Sequence, residues 1–283
     1  MSGELAGMSG KMTGGFLSYL TSSIGRKQVM GIAGLMLVLF LVGHMLGNLQ
    51  LLKPDPVAAQ TSYNAYCQFL TSLVPMLWIV EAVLGTVFLI HFGLALVLKL
   101  GNLKARGQTR YAVVKHKGPA TPAAYTMLAT GVVVLVFLVQ HLLFFKFGHY
   151  YLYLNADGEI VRDMWLTTVK TFANPAWTAG YSIALLLAGV HLAHAVPSLF
   201  RTFGLVHARW TPIFNRLGVL AAVALTAGYV LTAVGTCWLM NRPAGKALIK
   251  QSESVQEDLK TLSQIQKTAK AEKAQSSVQE VQK

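Results

Sequence analysis

Charge is the first thing this 283-residue sequence lacks: only 12% of its residues are Asp, Glu, Lys or Arg, with 11 acids against 24 bases. An ordinary soluble domain carries about 25% charged residues, so the soluble class is excluded first. Cysteine is nearly absent, at two residues, which is too few to define a cysteine metal site. A disulfide between Cys67 and Cys237 is geometrically open, but inert thiols are the expectation. There is no phosphate-cradling glycine motif, no nucleophile elbow and no internal repeat. The apolar segments also lack the strict alternation of a lipid-facing strand, so a membrane β-barrel is excluded as the spanning element.

What the sequence has is apolar length, with 54% of residues hydrophobic. Charge-free runs of 25, 28, 30 and 25 residues lie between Lys27 and Lys53, Lys117 and Lys146, Lys170 and Arg201, and Arg216 and Arg242. A fifth run, Leu73 to Leu98, is broken only by Glu81. A helix rising about 1.5 Å per residue crosses about 30 Å of hydrocarbon in roughly 20 residues, so each run is long enough to span. Only a helix satisfies its own backbone inside lipid. The predicted fold is therefore an all-α membrane protein of five transmembrane helices, four of them forming a bundle beside a fifth. The first run exceeds a signal h-region and no small-residue cleavage site follows it, so a retained helix is expected.

The charges that exist are placed asymmetrically. Lys99, Lys104, Arg106, Arg110, Lys115 and Lys117 follow the second run without an acid, and Arg201, Arg209 and Arg216 follow the fourth. Lys11, Arg26 and Lys27 precede the first, against Glu4. The remaining loops are balanced: Lys53 with Asp55, and Lys146, Arg162 and Lys170 with Asp157, Glu159 and Asp163. The positive-inside rule puts the N-terminus in the cytoplasm and, after five spans, the C-terminus outside. The net charge of +13 is thereby assigned to orientation, and nucleic acid is not an expected partner. Residues 1–27 are expected as a cytoplasmic segment, 28–240 as the membrane domain, and 241–283 as a polar tail outside the core, flexible or weakly helical or else a short partner-binding helix. Tyr150, Tyr151, Tyr153 and Trp165, in the outer loop before the fourth run, are expected as interfacial aromatics.

Four histidines lie deep inside apolar runs, on the first four spans in turn: His44, His91, His141 and His191. A buried polar ring in lipid needs a partner. His44 lies nine residues before Lys53 and His141 five before Lys146, near the outer charges. His91 lies eight residues before Lys99 and His191 ten before Arg201, near the inner ones. Two histidines form an outer tier and two an inner one, and opposed imidazoles in each tier are what two six-coordinate b-type haems require. Single histidines can equally bond between helices or line a proton path; four in two matched tiers favour haem. A zinc or haem–copper centre needs several ligands at one depth and fits worse. His194, three residues after His191, lies on a neighbouring face, so either ring can be the ligand, with His191 expected and His194 as a propionate or backbone partner. His116, His149 and His207 are expected in loops.

At these residues the sequence resembles the single-chain di-haem cytochrome b subunit of succinate dehydrogenase and fumarate reductase, over about residues 20 to 240. The resemblance is carried by Ser23-Ile-Gly-Arg-Lys27, His44-Met-Leu-Gly-Asn48, Asn102-Leu-Lys-Ala-Arg106 with Tyr111, Gln140-His-Leu142, and His191-Leu-Ala-His-Ala-Val-Pro-Ser198 ending near Thr202-Phe-Gly204. It implies an anchor in a bacterial inner membrane for an iron–sulfur subunit and a flavoprotein, with the dicarboxylate site on those partners. It also implies two haem b, an inner one on His91 and His191 and an outer one on His44 and His141, and a quinone substrate, with menaquinone expected. Arg26, Lys27 and Arg201 are the candidate propionate partners.

The quinone end is less determined. Some members carry an acid where this chain has Asn64, and a glutamate where it has Gly189, so those proton devices do not carry over. Glu81 is the one acid within a span, about 15 Å outward of His91. Either it handles quinone protons with a raised pKa or it is an interfacial residue reaching water. Asn48, Gln50, Tyr63 and Gln68 are candidates to hydrogen-bond a quinone carbonyl. Two other readings stay open: a di-haem anchor of another respiratory dehydrogenase, and a transporter or scaffold using its histidines for protons.

Overall fold

The computed structural model describes residues 15–106 and 122–281. Lys11, Arg110, Tyr111, Lys115, His116 and Lys117, to which the sequence assigns orienting or loop roles, lie outside the described residues.

The five expected spans are all helices. They are α1 (Ser23–Asn48, extended by a 3-10 turn at Leu49–Leu52), α3 (Met76–Arg106), α4 (Pro122–Phe145), α6 (Pro175–Thr202) and α7 (Trp210–Met240). Between them lie α2 (Pro56–Ser72), a hairpin of β1 (Leu152–Leu154) and β2 (Ile160–Arg162), and α5 (Met164–Ala173); α8 (Pro243–Ser254) and α9 (Gln256–Val281) follow. All five long helices are apolar enough to cross a bilayer, yet only 6% of the most apolar window is buried in each of α1, α3 and α4. Large apolar side chains such as Leu39, Leu89 and Val136 point outwards, which water would penalise and lipid does not. The chain is thus an all-α, multi-pass membrane protein.

Local sequence sets the helix ends. Asp55 caps α2, its carboxylate accepting from Val57 N and Ala58 N, with Pro56 at the first position. Asp163 caps α5 through Leu166 N, and Asn174 accepts from Ala176 N at the start of α6. Close helix approaches run through glycine: a Cβ on Gly189 would meet Thr226 Oγ1 at 2.2 Å, and one on Gly218 would meet Pro197 Cδ at 2.7 Å. Small residues at such points let membrane helices approach where side chains would hold them apart.

The described residues form two compact units. The first contains 15–45, 75–106, 122–137 and 184–228, and the second contains 46–74, 138–183 and 229–281. In the first, α6 meets α7 through Gly189, Gly218 and the stacked Phe200–Phe214 pair (4.3 Å), and Gly31 of α1 packs on Leu199 of α6.

The second unit holds the best-buried core: Leu51, Ala59, Tyr63, Trp165, Leu166, Val169 and Met240. Two expectations are corrected here. Trp165 is no interfacial aromatic; it is fully buried in this core, because α5 turns its apolar face onto α2. The segment after residue 240 is helical over 243–254 and 256–281, and it is not wholly outside the core, since Leu248 and Ile249 pack against it. Pro243 at the first position starts α8, and Gln256 ties the start of α9 to the hairpin, accepting from Leu152 N (2.8 Å) and donating to Leu152 O (3.1 Å).

Candidate functional site

In the first unit His91, on α3, lies with Nδ1 3.0 Å from the main-chain oxygen of Met30 on α1. A carbonyl can only accept, so Nδ1 carries the hydrogen and Nε2 presents a bare lone pair. The ring rests against Gly34, one turn after Met30, where an added Cβ would lie 3.1 Å from Cε1 and 3.3 Å from Nδ1. Glycine is what lets the imidazole reach this carbonyl.

His191, on α6, is held in the same manner by α4. Its Nδ1 is 3.0 Å from Thr130 Oγ1, and Gly131 is the neighbour facing its ring, with room for a Cβ 3.5 Å from Cε1. His91, His191 and His194 all belong to the first unit. His91 and His191 are each tethered through Nδ1 from a neighbouring helix, and His194 is half-buried one turn further along α6. Tethering one ring nitrogen leaves the other as a metal ligand of fixed orientation. Each ring thus offers one oriented nitrogen with a glycine beside it, the donor chemistry that an imidazole ligand to haem requires.

His44 in α1 belongs to the first unit and stacks on Phe40 one turn earlier, at 5.4 Å and 18°. His141 in α4 belongs to the second unit and packs on Phe145 at 4.8 Å and Tyr181 at 6.3 Å. Both are half-buried. Among the described residues no group of three or more His, Cys, Asp or Glu side chains is placed to hold a metal ion; a bis-imidazole haem uses only two protein ligands.

The remaining predicted residues are dispersed. Arg26 lines a groove with Leu89, Ile90, Gly93 and Leu94 of α3, a face centred roughly 130° round the helix from His91 at 100° per residue. Lys27 is exposed, and Arg201 donates from Nη2 to Asn215 Oδ1 at 3.0 Å, tying the end of α6 to α7. Glu81 is half-buried near the start of α3. Tyr63 donates to Asn48 Oδ1 at 3.0 Å, and burial pushes its phenol above the ordinary range. Gln68 is occupied by the hairpin, donating to Glu159 Oε2 at 3.1 Å and accepting from Asn155 Nδ2 at 3.2 Å. Gln50 is half-buried.

Sequence reasoning missed the polar node of the second unit. Asp163 Oδ1 accepts from Leu166 N (2.8 Å) and Asn64 Nδ2 (2.9 Å), and Oδ2 accepts from Gln60 Nε2 (3.1 Å), which also donates to Ser252 (3.1 Å). Asn64 Oδ1 in turn accepts from Trp165 N at 2.9 Å. Asn64, where some members of the resembling family carry an acid, here serves structure. Cys67 and Cys237 are both free thiols, and burial, with Asp163 adding and Arg162 opposing, pushes Cys67 up to about 12. Such a thiol carries almost no thiolate at neutral pH and is unreactive.

A further groove of about 670 Å³ lies between the start of α6 and the end of α7. Its polar groups are engaged locally: Thr178 and Ser182 donate to main-chain carbonyls, Asn241 to Ala173 O, and Arg242 stacks on Trp238 at 4.6 Å. No protein-family model, curated protein or solved structure matches this chain.

Proposed function

We propose that the chain is the di-haem cytochrome b membrane subunit of a succinate:quinone oxidoreductase, carrying electrons between an iron–sulfur partner and quinone. The observation that supports this reading above all is the His91–His191 arrangement, in which two intramembrane imidazoles from α3 and α6 have Nδ1 tethered and Nε2 left as a ligand. A proton-path histidine needs both nitrogens to exchange partners; a haem ligand needs one fixed, and these are fixed. His91 and His191 would hold one haem, and His44 and His141 the other. Haem supplies a one-electron iron centre with no open coordination position. The chain's own residues orient the imidazoles, Met30 through its main-chain oxygen and Thr130 through its hydroxyl.

In this reading the protein lies in a bacterial inner membrane with its N-terminus inside and its C-terminus outside. A flavoprotein and an iron–sulfur subunit dock at the inner face, where Arg201, Arg209 and Arg216 add positive charge. Menaquinone is the proposed quinone, and Glu81 the acid that serves its protons. Glu81→Gln should slow quinone turnover severalfold while partner-driven haem reduction proceeds at the parent rate, measured by stopped-flow; unchanged quinone kinetics removes Glu81 from the site.

The test of the function as a whole is a pyridine haemochrome assay on the complex purified from its native membrane. Two haem b per chain, co-purifying with flavin-bearing and iron–sulfur subunits that reduce fumarate or oxidise succinate, is the expected result. Absence of b-type absorption overturns the cytochrome reading. Two haems with a partner of different chemistry moves the chain to another respiratory dehydrogenase.

A further inference from the structure

The tethers of His91 and His191 are alike in place and unlike in chemistry. Each joins residues 61 apart in sequence, and each runs from the second helix of a pair back to the first, α3 to α1 and α6 to α4. His91 is held by a main-chain carbonyl, an acceptor no substitution of Met30 would remove. His191 is held by the hydroxyl of Thr130, a buried side chain that a single substitution deletes, with the main-chain oxygen of Met127 as a second acceptor in reach of the ring.

We propose that Thr130 is a positioning residue that fixes the tautomer of His191 and makes it a more electron-donating haem ligand, so that Thr130 sets the reduction potential of the haem held at the His91–His191 site. This rests on the cytochrome reading for the haem and on geometry alone for the tautomer.

The direction of the hydrogen bond follows from counting hydrogens. Thr130 Oγ1 lies 3.0 Å from Thr126 O, 3.1 Å from Met127 O and 3.0 Å from His191 Nδ1. The hydroxyl has one hydrogen. If it pointed at Nδ1, two carbonyl oxygens would face the hydroxyl oxygen with no hydrogen between them, in a buried and weakly screened place. Shared between the two carbonyls in the back-bonded manner of helical threonine, it leaves a lone pair facing the ring. Nδ1 must then be the donor, and Nε2 the unprotonated ligand nitrogen. A hydroxyl already donating to a carbonyl is polarised and accepts more strongly. Holding Nδ1–H in this way raises the basicity of Nε2, which favours oxidised iron and lowers the potential.

The test compares Thr130→Val, which keeps the shape and removes the acceptor, with Thr130→Ser, which keeps the acceptor. In the holo complex, Thr130→Val should retain both haems, move the midpoint of one to higher potential and shift the low-spin electron paramagnetic resonance signal of that same haem; Thr130→Ser should restore both. Unaltered midpoints and signals in Thr130→Val, or equal shifts in both haems, overturn the proposal, as does loss of haem that Thr130→Ser fails to restore. A separate readout needs no haem. In chain stripped of or lacking haem, nitrogen-15 spectra of labelled histidine should show two rings protonated at Nδ1 in the parent, His91 and His191, and in Thr130→Val the His191 ring should lose part of that tautomer while His91 keeps it. A parent without haem but with this signal leaves the tether standing and removes the cytochrome reading; a parent without the signal removes the tether.

Discussion

Replacing His91 or His191 by alanine should remove one haem from the purified complex and keep the other, whereas His194→Ala should keep both. The difference follows from what holds each ring. Without His91 the carbonyl of Met30 loses its partner, and a haem held there would lose one of its two protein ligands; α3 carries no other histidine to replace it. Without His191 the only other imidazole on α6 is His194, three residues on and on a neighbouring face, whereas the Thr130 hydroxyl meets His191. A haem that depended on both histidines would be held more weakly by one, since even perturbing a ligand's hydrogen-bond partner typically lowers metal affinity about 10–100-fold. His44→Ala and His141→Ala should each remove the complementary haem. The spectra to compare are pyridine haemochrome and dithionite-reduced difference spectra at equal protein concentration. Loss in His194→Ala with retention in His191→Ala would reverse the ligand assignment on α6, and full retention in all five variants would end the haem reading.

These histidines were legible in the sequence because lipid leaves so few places for a polar ring: a histidine deep in an apolar run stands out without any structure. The spans were legible for a related reason, since crossing hydrocarbon demands about 20 apolar residues in succession and nothing else in the chain resembles that. What tethers the rings was not legible. Met30 acts through its main chain, which has no sequence signature, and Thr130 looks like any helical threonine until the ring of a residue 61 positions later is seen beside it. Arg26, a propionate candidate by its nearness to α1, faces a groove on another side of α3. Distance along the chain does not report which way round a helix a side chain sits.

The connecting segments were misjudged because no single one of them is strongly apolar. Asn155-Ala-Asp-Gly158 carries a turn signature, with Gly158 at φ 76° and Asn155 Oδ1 accepting from Asp157 N and Glu159 N, flanked by strand-like Leu-Tyr-Leu and Ile-Val-Arg. Against two long helices it read as a loop. α2, α5 and α8 bury their apolar faces on one another, so each becomes a stable element only in the company of the other two. Trp165 illustrates the cost of reading segments singly, since an aromatic between spans is an interfacial anchor by position and a core residue by packing.

The node that joins these segments is the second place where a single substitution should matter. Asp163→Ala should destabilise the second unit by about 3 kcal/mol, because it strips the acceptor from Asn64 Nδ2 and Leu166 N, each buried donor left unpaired costing about 1–3 kcal/mol. Gln60 keeps Ser252 as a partner and limits the loss. Asp163→Asn should cost about 1 kcal/mol: its carbonyl can still accept from Asn64 and Leu166, and Gln60 can turn its amide over so that the new nitrogen donates to Oε1 while Ser252 donates in place of accepting. The two variants also separate charge from hydrogen bonding. Burial raises the Asp163 carboxyl above its ordinary pKa even though Leu166, Asn64, Gln60 and Trp165 oppose it. A carboxyl raised in the folded state contributes stability that is complete below its unfolded pKa and is lost as pH rises through the folded one. The parent should therefore gain stability as pH is lowered through that raised value towards the ordinary carboxylate range, and Asp163→Asn should lack this increment. Thermal unfolding in detergent, followed through the fluorescence of the fully buried Trp165, reads both effects. Equal stability of parent and Asp163→Ala would show that the three segments are held by apolar contact alone.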